Sequence, residues 1–441
     1  MRNVSRALVA VALVAGLGGC GIFKGGNKPK TAVLGERIPV LATQNDAEVD
    51  PSLSDTPVTL PAPAANEAWA QPGGNPAHSM GHLALGLAPA RVWTARIPKS
   101  TPQQRYGAAP VVAGGRLYVM DADSVVHAFS LENGAQVWKQ GFAEGKKDKG
   151  ALFGGGVTFD DGKLFAVNGL GDAVAMDAAT GKQLWKVRPG GPLRGAPTVG
   201  LGNVYVVTQD NQVFALKVED GKTAWTDSAT LEAAGVFGVA APALGRGTIV
   251  AGFSSGELSA LRYENGRVVW QDQLARTSIT TSVATISDID ASPVIDNDRV
   301  YAIGQGGRMV AMDLAAGQRL WELNVGGGDT PWVVGDWLFV LTDESKLLCV
   351  NRATGKVRWL TQLERFRNKK KKDNPIQWSG PILAGGRLFV VSDRGEIVGV
   401  QAVDGVIRDT IKGSGPFQLA PIAVNNMLIT LDGKGTITAY R

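Results

Sequence analysis

The sequence predicts an all-β chain: an eight-bladed β-propeller of four-stranded blades, its last blade closed by an N-terminal strand. Three observations predict this. Glycine is abundant, 57 of 441 residues, and supplies the turns that many short strands need. Tryptophans recur at 93, 138, 185, 225, 270, 321 and 359, about 44 residues apart, a spacing that suits one blade per repeat. Six of them carry a glycine four residues earlier: Gly134, Gly181, Gly221, Gly266, Gly317 and Gly355. A seventh glycine, Gly405, has Asp409 at the partner position.

One repeat shows the expected order of elements. Gly155 to Phe159 forms the inner strand, followed by an Asp160-Asp161-Gly162 turn. Lys163 to Asn168 is the second strand and Asp172 to Asp177 the third. Ala178 to Gly181 turns the chain into the outer strand, Lys182 to Val187. Equivalent second strands read RLYVMD from Arg116, NVYVVT from Asn203, RVYAIG from Arg299, WLFVLT from Trp337 and RLFVVS from Arg387. Such largely apolar runs suit strands covered on both faces. Seven copies begin near Gly107, Gly154, Gly195, Gly238, Ala291, Asp329 and Gly380; an eighth begins at Ala420 and reaches Arg441 after three strands. Arg91-Val92-Trp93-Thr94 has an outer-strand tryptophan with no blade before it, so it supplies the missing strand. The propeller is expected over 89–441, with the tryptophans wedged between neighbouring blades.

The N-terminus follows another pattern. Arg2 and Arg6 precede an apolar run, Ala7 to Leu17, that is too short to span a ~30 Å hydrocarbon core and reads as a secretory signal. It ends Leu17-Gly18-Gly19-Cys20, which resembles the lipobox of bacterial lipoproteins. A signal peptide is expected at 1–19, with lipid on Cys20. Gly21 in place of an Asp favours the outer membrane. Residues 20–88, with Pro29, Pro39, Pro51, Pro57, Pro61, Pro63, Pro72 and Pro76, read as a Pro/Ala-rich tether. Arg37 to Leu41 and Val58 to Leu60 are expected to dock as short edge strands. His78 and His82 are expected to be loop histidines, because Gly81 and Pro76 oppose the helix that a metal pair would need.

Composition excludes several classes. With 44 % apolar and 19 % charged residues, the chain is neither a coiled coil nor a disordered polymer. Two cysteines and three histidines make neither a disulfide scaffold nor a Cys/His zinc cluster. The formal charge of +5 falls to +3 without Arg2 and Arg6. Glu364 to Asp373, with Arg365, Arg367 and Lys369 to Lys372, carries +4 of that, so the rest of the mature chain is at −1. The basic balance is one loop. It suits anionic lipid phosphates, an acidic partner or simple solvation. Secretion and the near absence of interleaved aromatics exclude nucleic acid.

The stretch from Ala175 to Trp185 (AMDAATGKQLW), and Val350 to Trp359 after it, resembles the tryptophan-docking repeat of pyrroloquinoline-quinone (PQQ) propellers. That repeat occurs in quinoprotein dehydrogenases and in proteins without a cofactor. The dehydrogenases carry a vicinal Cys-Cys pair; here Cys20 and Cys349 stand far apart, and no cofactor is expected. Lipobox, tether and eight repeats together resemble the BamB family of outer-membrane β-barrel assembly lipoproteins. Two segments carry this further: Pro192 to Pro197 (PLRGAP) before the third blade, and Ser287 to Pro293 (SDIDASP) before the fifth. In the family, matching Leu-Arg-Gly and Ser-Asp-x-Asp segments form a surface that docks periplasmic (POTRA) domains of BamA. The resemblance thus implies partner binding by Leu193, Arg194, Asp288 and Asp290, although Gly191 stands where the family can have a leucine. Arginine's planar fork suits carboxylates or carbonyls. The same residue types also suit a blade-to-blade salt bridge. The implied function is a non-catalytic scaffold lipoprotein that assists insertion of outer-membrane proteins and meets their unfolded forms. A generic periplasmic scaffold and a PQQ-dependent dehydrogenase are the alternatives.

Overall fold

The computed structural model describes residues 47–102, 104–142, 154–231, 240–274, 288–305 and 307–441, which fall in one compact unit, Asn45–Arg441. Eight antiparallel four-stranded sheets form the blades of a propeller, and no α-helix occurs among the described residues. In blade 2 the strands are Gly155–Asp160, Lys163–Asn168, Ala173–Asp177 and Gln183–Val187, within one residue of expectation. Second and third strands are buried almost throughout, because neighbouring blades cover both faces. Outer strands alternate; in Arg91–Arg96 only Trp93 and Ala95 are buried.

That N-terminal strand closes the ring as expected. Arg91–Arg96 pairs antiparallel with Thr436–Tyr440, giving blade 8 the order outer, third, second, inner from the first to the last strand of its sheet. Ala90 and Arg441 exchange both backbone hydrogen bonds, at 2.7 and 2.8 Å, so the two ends lock each other.

The tryptophans wedge between blades. Each indole Nε1–H donates to a backbone carbonyl of the next blade: Trp93 to Leu131, Trp138 to Ala178, Trp185 to Val218, Trp225 to Tyr263, Trp270 to Leu314, Trp321 to Arg352 and Trp359 to Ala402, at 2.8–3.2 Å. The repeat glycine lies under the indole of the preceding blade, not of its own. A Cβ on Gly134 would stand 2.7 Å from Trp93 Cε3, and its φ of +73° also disfavours a side chain. This explains the unmatched seventh glycine: Gly405 receives Trp359 and needs no tryptophan in its own blade. In blade 8 the third strand, Thr436–Tyr440, and the outer strand, Arg91–Arg96, come from distant parts of the sequence and share no receiving turn, and facing this seam Asp409 replaces the indole. Arg387 donates to Asp409 and stacks 5.1 Å above the Phe389 ring. In blades 1, 2, 3, 5 and 6 the aromatic equivalent to Phe389 packs on the tryptophan, at 5.8–6.2 Å.

The tether expectation needs correction for its second half. Residues 64–84 run around the inner end of the propeller and bond to all eight blades in turn. Asn66 bonds blade 8 through Ala423 and Asn425. Trp69 exchanges two 2.8 Å backbone bonds with Val112 of blade 1, and Ala70 accepts from Phe159 of blade 2. The Gln71 amide meets both backbone groups of Val199 in blade 3, at 2.8 and 2.9 Å. Pro76 and Ala77 accept from Leu244 and Ile295 of blades 4 and 5. Gly81 accepts from the Trp332 indole of blade 6, and Leu83 bonds Leu383 and Gly385 of blade 7. Ala64 then bonds His82 and Ala84, closing the loop on itself. The prolines that suggested a tether do not forbid this path, because the inner strands supply the hydrogen bonds that a regular element would need internally.

His78 and His82 are loop histidines, each with Nδ1 against a carbonyl, of Pro293 and Pro61 respectively. Burial pushes His78 down to about 4. Val58 is buried but forms no strand. Val49 instead docks in parallel on Val357, at the outer edge of blade 6. The signal peptide, Cys20 and Arg37 to Leu41 lie outside the described residues.

Two stability tests follow from these contacts. Trp270→Ala is expected to cost about 3–5 kcal/mol in denaturant unfolding, the usual range for a buried aromatic. Gln71→Ala strands two backbone groups of blade 3 and is expected to cost about 1–3 kcal/mol; an unchanged midpoint would show that the circling segment adds no stability.

Candidate docking site

The four residues singled out by sequence sit on two connectors at one end of the ring. Leu193 and Arg194 lead from the outer strand of blade 2 into Thr198–Gly200 of blade 3; Asp288 and Asp290 lead into Val294–Asp296 of blade 5. Arg194 Nη2 donates to Asp288 Oδ1 at 2.8 Å and to Asp290 Oδ1 at 3.0 Å. Its backbone bonds Val207 of blade 3 and Gly155 of blade 2. The backbone of Asp288 and Ile289 bonds Gln305 of blade 5 and Phe253 of blade 4. One guanidinium therefore ties together connectors held by four consecutive blades.

The expected proximity is present, but the expected exposure is not. Leu193, Arg194 and Asp288 have 0 % relative exposure and Asp290 8 %. Leu193 packs among Phe165, Val167, Val204, Val206 and Phe214 instead of standing on a surface as an anchor. Two carboxylates share one guanidinium, so one negative charge more than the arginine balances falls in a largely buried site. Burial and the neighbouring Asp288 push Asp290 up to about 7, with Arg194 opposing. Outside this clamp, Pro192 and Asp210 are exposed, and the Pro192 carbonyl accepts from the Gln209 backbone at 2.7 Å.

The clamp borders a cavity of about 760 Å³ at the centre of the propeller. Trp69, Gly73 and His78 of the circling segment line it, together with Trp332, Trp378 and four carboxylates, Asp290, Asp329, Asp343 and Asp393. Burial, with Asp343 adding to it and the Gly380 backbone hydrogen bond opposing, pushes Asp329 up to about 7; Asp343 itself rises to about 6 through burial and the neighbouring Glu344. Sequence reading missed Asp329, which precedes the inner strand of blade 6, and Asp343, which lies with Glu344 in the turn after its second strand; no spacing or motif marks either. Cys349 is a buried free thiol, pushed up by burial. No cluster of three or more potential metal ligands occurs among the described residues.

A family profile described as outer membrane protein assembly factor BamB matches residues 90–146, 122–361 and 364–441. The chain belongs to the BamB family. Among its relatives, BamB of Yersinia pestis is 25 % identical over 362 residues, 80 % of this chain and 89 % of that one. BamB of Burkholderia pseudomallei is 29 % identical over 369 residues, covering 80 % and 87 %, and BamB of Escherichia coli 26 % over 358, covering 80 % and 88 %. Among solved structures, BamB from Moraxella catarrhalis superposes with a TM-score of 0.68 at 19 % identity, over 80 % of this chain and all of that one. A quinohemoprotein alcohol dehydrogenase from Comamonas testosteroni gives 0.66 at 15 % identity, over 86 % and 81 %. These two superpositions establish the propeller, which BamB proteins and dehydrogenases share; at such identities neither carries function.

Removing Arg194 leaves buried carboxylates without their cation, so Arg194→Gln is expected to cost about 3–5 kcal/mol. Asp290 sets a pH dependence. Folded, it holds its proton to about pH 7; its ordinary value is 3.8. Folding therefore takes up a proton in that window, and the site's contribution to stability falls as pH rises through it. Asp329 and Asp343 act with the same sign. Asp290→Asn is expected to shrink the fall in denaturant midpoint from about pH 5 to about pH 8, and an unchanged fall would mean that Asp290 is ionised in the folded chain.

Proposed function

We propose that this chain is a non-catalytic scaffold of the outer-membrane β-barrel assembly machinery. It is anchored by lipid on Cys20 at the periplasmic face of the outer membrane, and it docks the POTRA domains of BamA. The observation that carries the reading is the match of the BamB profile to nearly the whole propeller, joined to the Leu193-Arg194 and Asp288-Asp290 segments placed side by side. Relatives over most of the chain are named as outer membrane protein assembly factors, which favours a scaffold over an enzyme.

Burial gives the four residues a positioning role. Leu193, Arg194, Asp288 and Asp290 hold the connectors of blades 2 to 5 in one arrangement, and the exposed rim around Pro192 and Asp210 meets the partner. A rigid, preformed face lowers the ordering cost of association. Unfolded outer-membrane proteins are the expected clients of the assembled machinery.

Asp210→Arg with Pro192→Glu is expected to reduce co-purification of BamA at least tenfold while leaving the melting temperature unchanged. Full retention of BamA by that variant would remove the rim from the interface. Cys20→Ser is expected to move the protein from the membrane to the soluble fraction after a high-salt wash; an unsubstituted chain that takes no lipid label would refute the anchor.

A further inference from the structure

The basic excess of the chain resides on a hairpin that the scaffold reading does not use. Phe366–Asn368 pairs with Asp373–Pro375 as a two-stranded sheet between blades 6 and 7. The root is fixed. Arg367 pairs with Asp393 at 2.7 Å, Arg394 with Glu364 at 2.8 Å and Lys369 with Glu364 at 3.2 Å. The Trp378 indole donates to the Glu364 carbonyl at 2.9 Å, and Arg365 stacks 5.2 Å above Phe366. The turn is ordered too: Asn368 accepts from the Lys371 backbone through its side chain, at 3.1 Å, and from Lys372 through its carbonyl, at 2.9 Å.

These contacts use Glu364 and Asp393 at the root; the tip sets four lysines against Asp373 and stays cationic. Lys369 to Lys372 are all exposed, and Lys370, Lys371 and Lys372 have no ion pair among the described residues. The tip is a protruding turn, not a groove. It offers point charges without the planar forks that read individual carboxylates, and such a set fits an extended anionic surface better than one acidic peptide. Its position agrees. Arg365, at the root, faces Glu344, and Ala47 lines a small cleft with that same Glu344. Twenty-six residues separate Cys20 from Ala47, a reach of up to roughly 90 Å, so a lipid at Cys20 leaves the tip within range of the bilayer.

We propose that the Lys369–Lys372 hairpin binds anionic phospholipid headgroups and turns the blade 6–7 side of the propeller toward the membrane. The orientation rests on the anchored reading above, but the lipid contact does not. The test uses the full chain carrying Cys20→Ser, so that acylation plays no part, and phosphatidylcholine vesicles with or without phosphatidylglycerol. Binding is expected only with phosphatidylglycerol and is expected to weaken as salt is added. Each lysine near an anionic surface contributes about fivefold in affinity, so Lys370→Gln, Lys371→Gln and Lys372→Gln together are expected to lose roughly a hundredfold, with an unchanged melting temperature. Equal binding to both vesicle types, or equal binding by the triple variant, overturns the proposal. So does loss of a protein partner in the triple variant when the parent binds neither vesicle, since the hairpin is then a protein contact. Lipid labelling of the unsubstituted chain is scored separately: no label with lysine-dependent vesicle binding removes the anchor and keeps the hairpin.

Discussion

The contact between each tryptophan and the glycine turn of the following blade is the constraint on which the ring depends. A propeller must repeat one interface until it meets itself, so every blade has to present the same wedge and the same receiving turn. The indole is held twice, by the carbonyl that its Nε1–H reaches and by the absent Cβ of the glycine beneath it. The exception supports the rule. Where blade 8 is assembled from two distant strands and has no receiving turn, blade 7 has Asp409 in place of the indole, and the Arg387 guanidinium takes the place over Phe389. The unmatched Gly405 and the unmatched Trp93 are two consequences of one fact, that the seam lies inside blade 8.

The circling segment adds a second closure. Strand pairing fastens the ring at its seam, whereas residues 64–84 bond to all eight inner strands, at positions beside the turns that end them. Opening any one blade interface would also require breaking bonds to this segment. It lines the central cavity as well, through Trp69 and His78. Three of the surrounding acids, Asp290, Asp329 and Asp343, are displaced upward mainly by burial. Asp290 and Asp329 lie on connectors that lead into inner strands, and Asp343 in the turn between the second and third strands of blade 6.

Legibility followed periodicity. The second strands, the glycine turns and the closing strand at Arg91 were readable because each obeys a repeat and an apolar pattern that recurs around the ring. The circling segment was not readable, because its bonds go to eight separate strands and impose no period of their own; prolines and small residues there mimic a linker. The docking segments were half readable. A salt bridge from Arg194 to one of the aspartates was readable, since their charges complement, but its hold on both was not, and charge gives no sign of depth. Leu193 looks like a surface anchor when read with its polar neighbours, and only the stacking of blades 2 and 3 shows that it fills a core. Asp329 and Asp343 gave no signal, because what makes them unusual is the cavity around them.

Burying Arg194 between two aspartates is a costly way to join connectors, since apolar packing of similar volume is often as stabilising or more so. What the cluster provides is geometry. An apolar contact tolerates sliding, whereas a guanidinium that must satisfy Asp288 and Asp290 at 2.8 and 3.0 Å fixes two connectors separated by a whole blade. That is useful where several blades must present one face to a partner as a unit. It also accounts for the position of the cluster beneath the rim instead of on it: a charged contact in water would exchange with solvent and salt, and the fixed spacing would be lost. The elevated carboxyl of Asp290 belongs to the same arrangement, because one guanidinium cannot neutralise two acids, and the leftover charge is relieved by a proton.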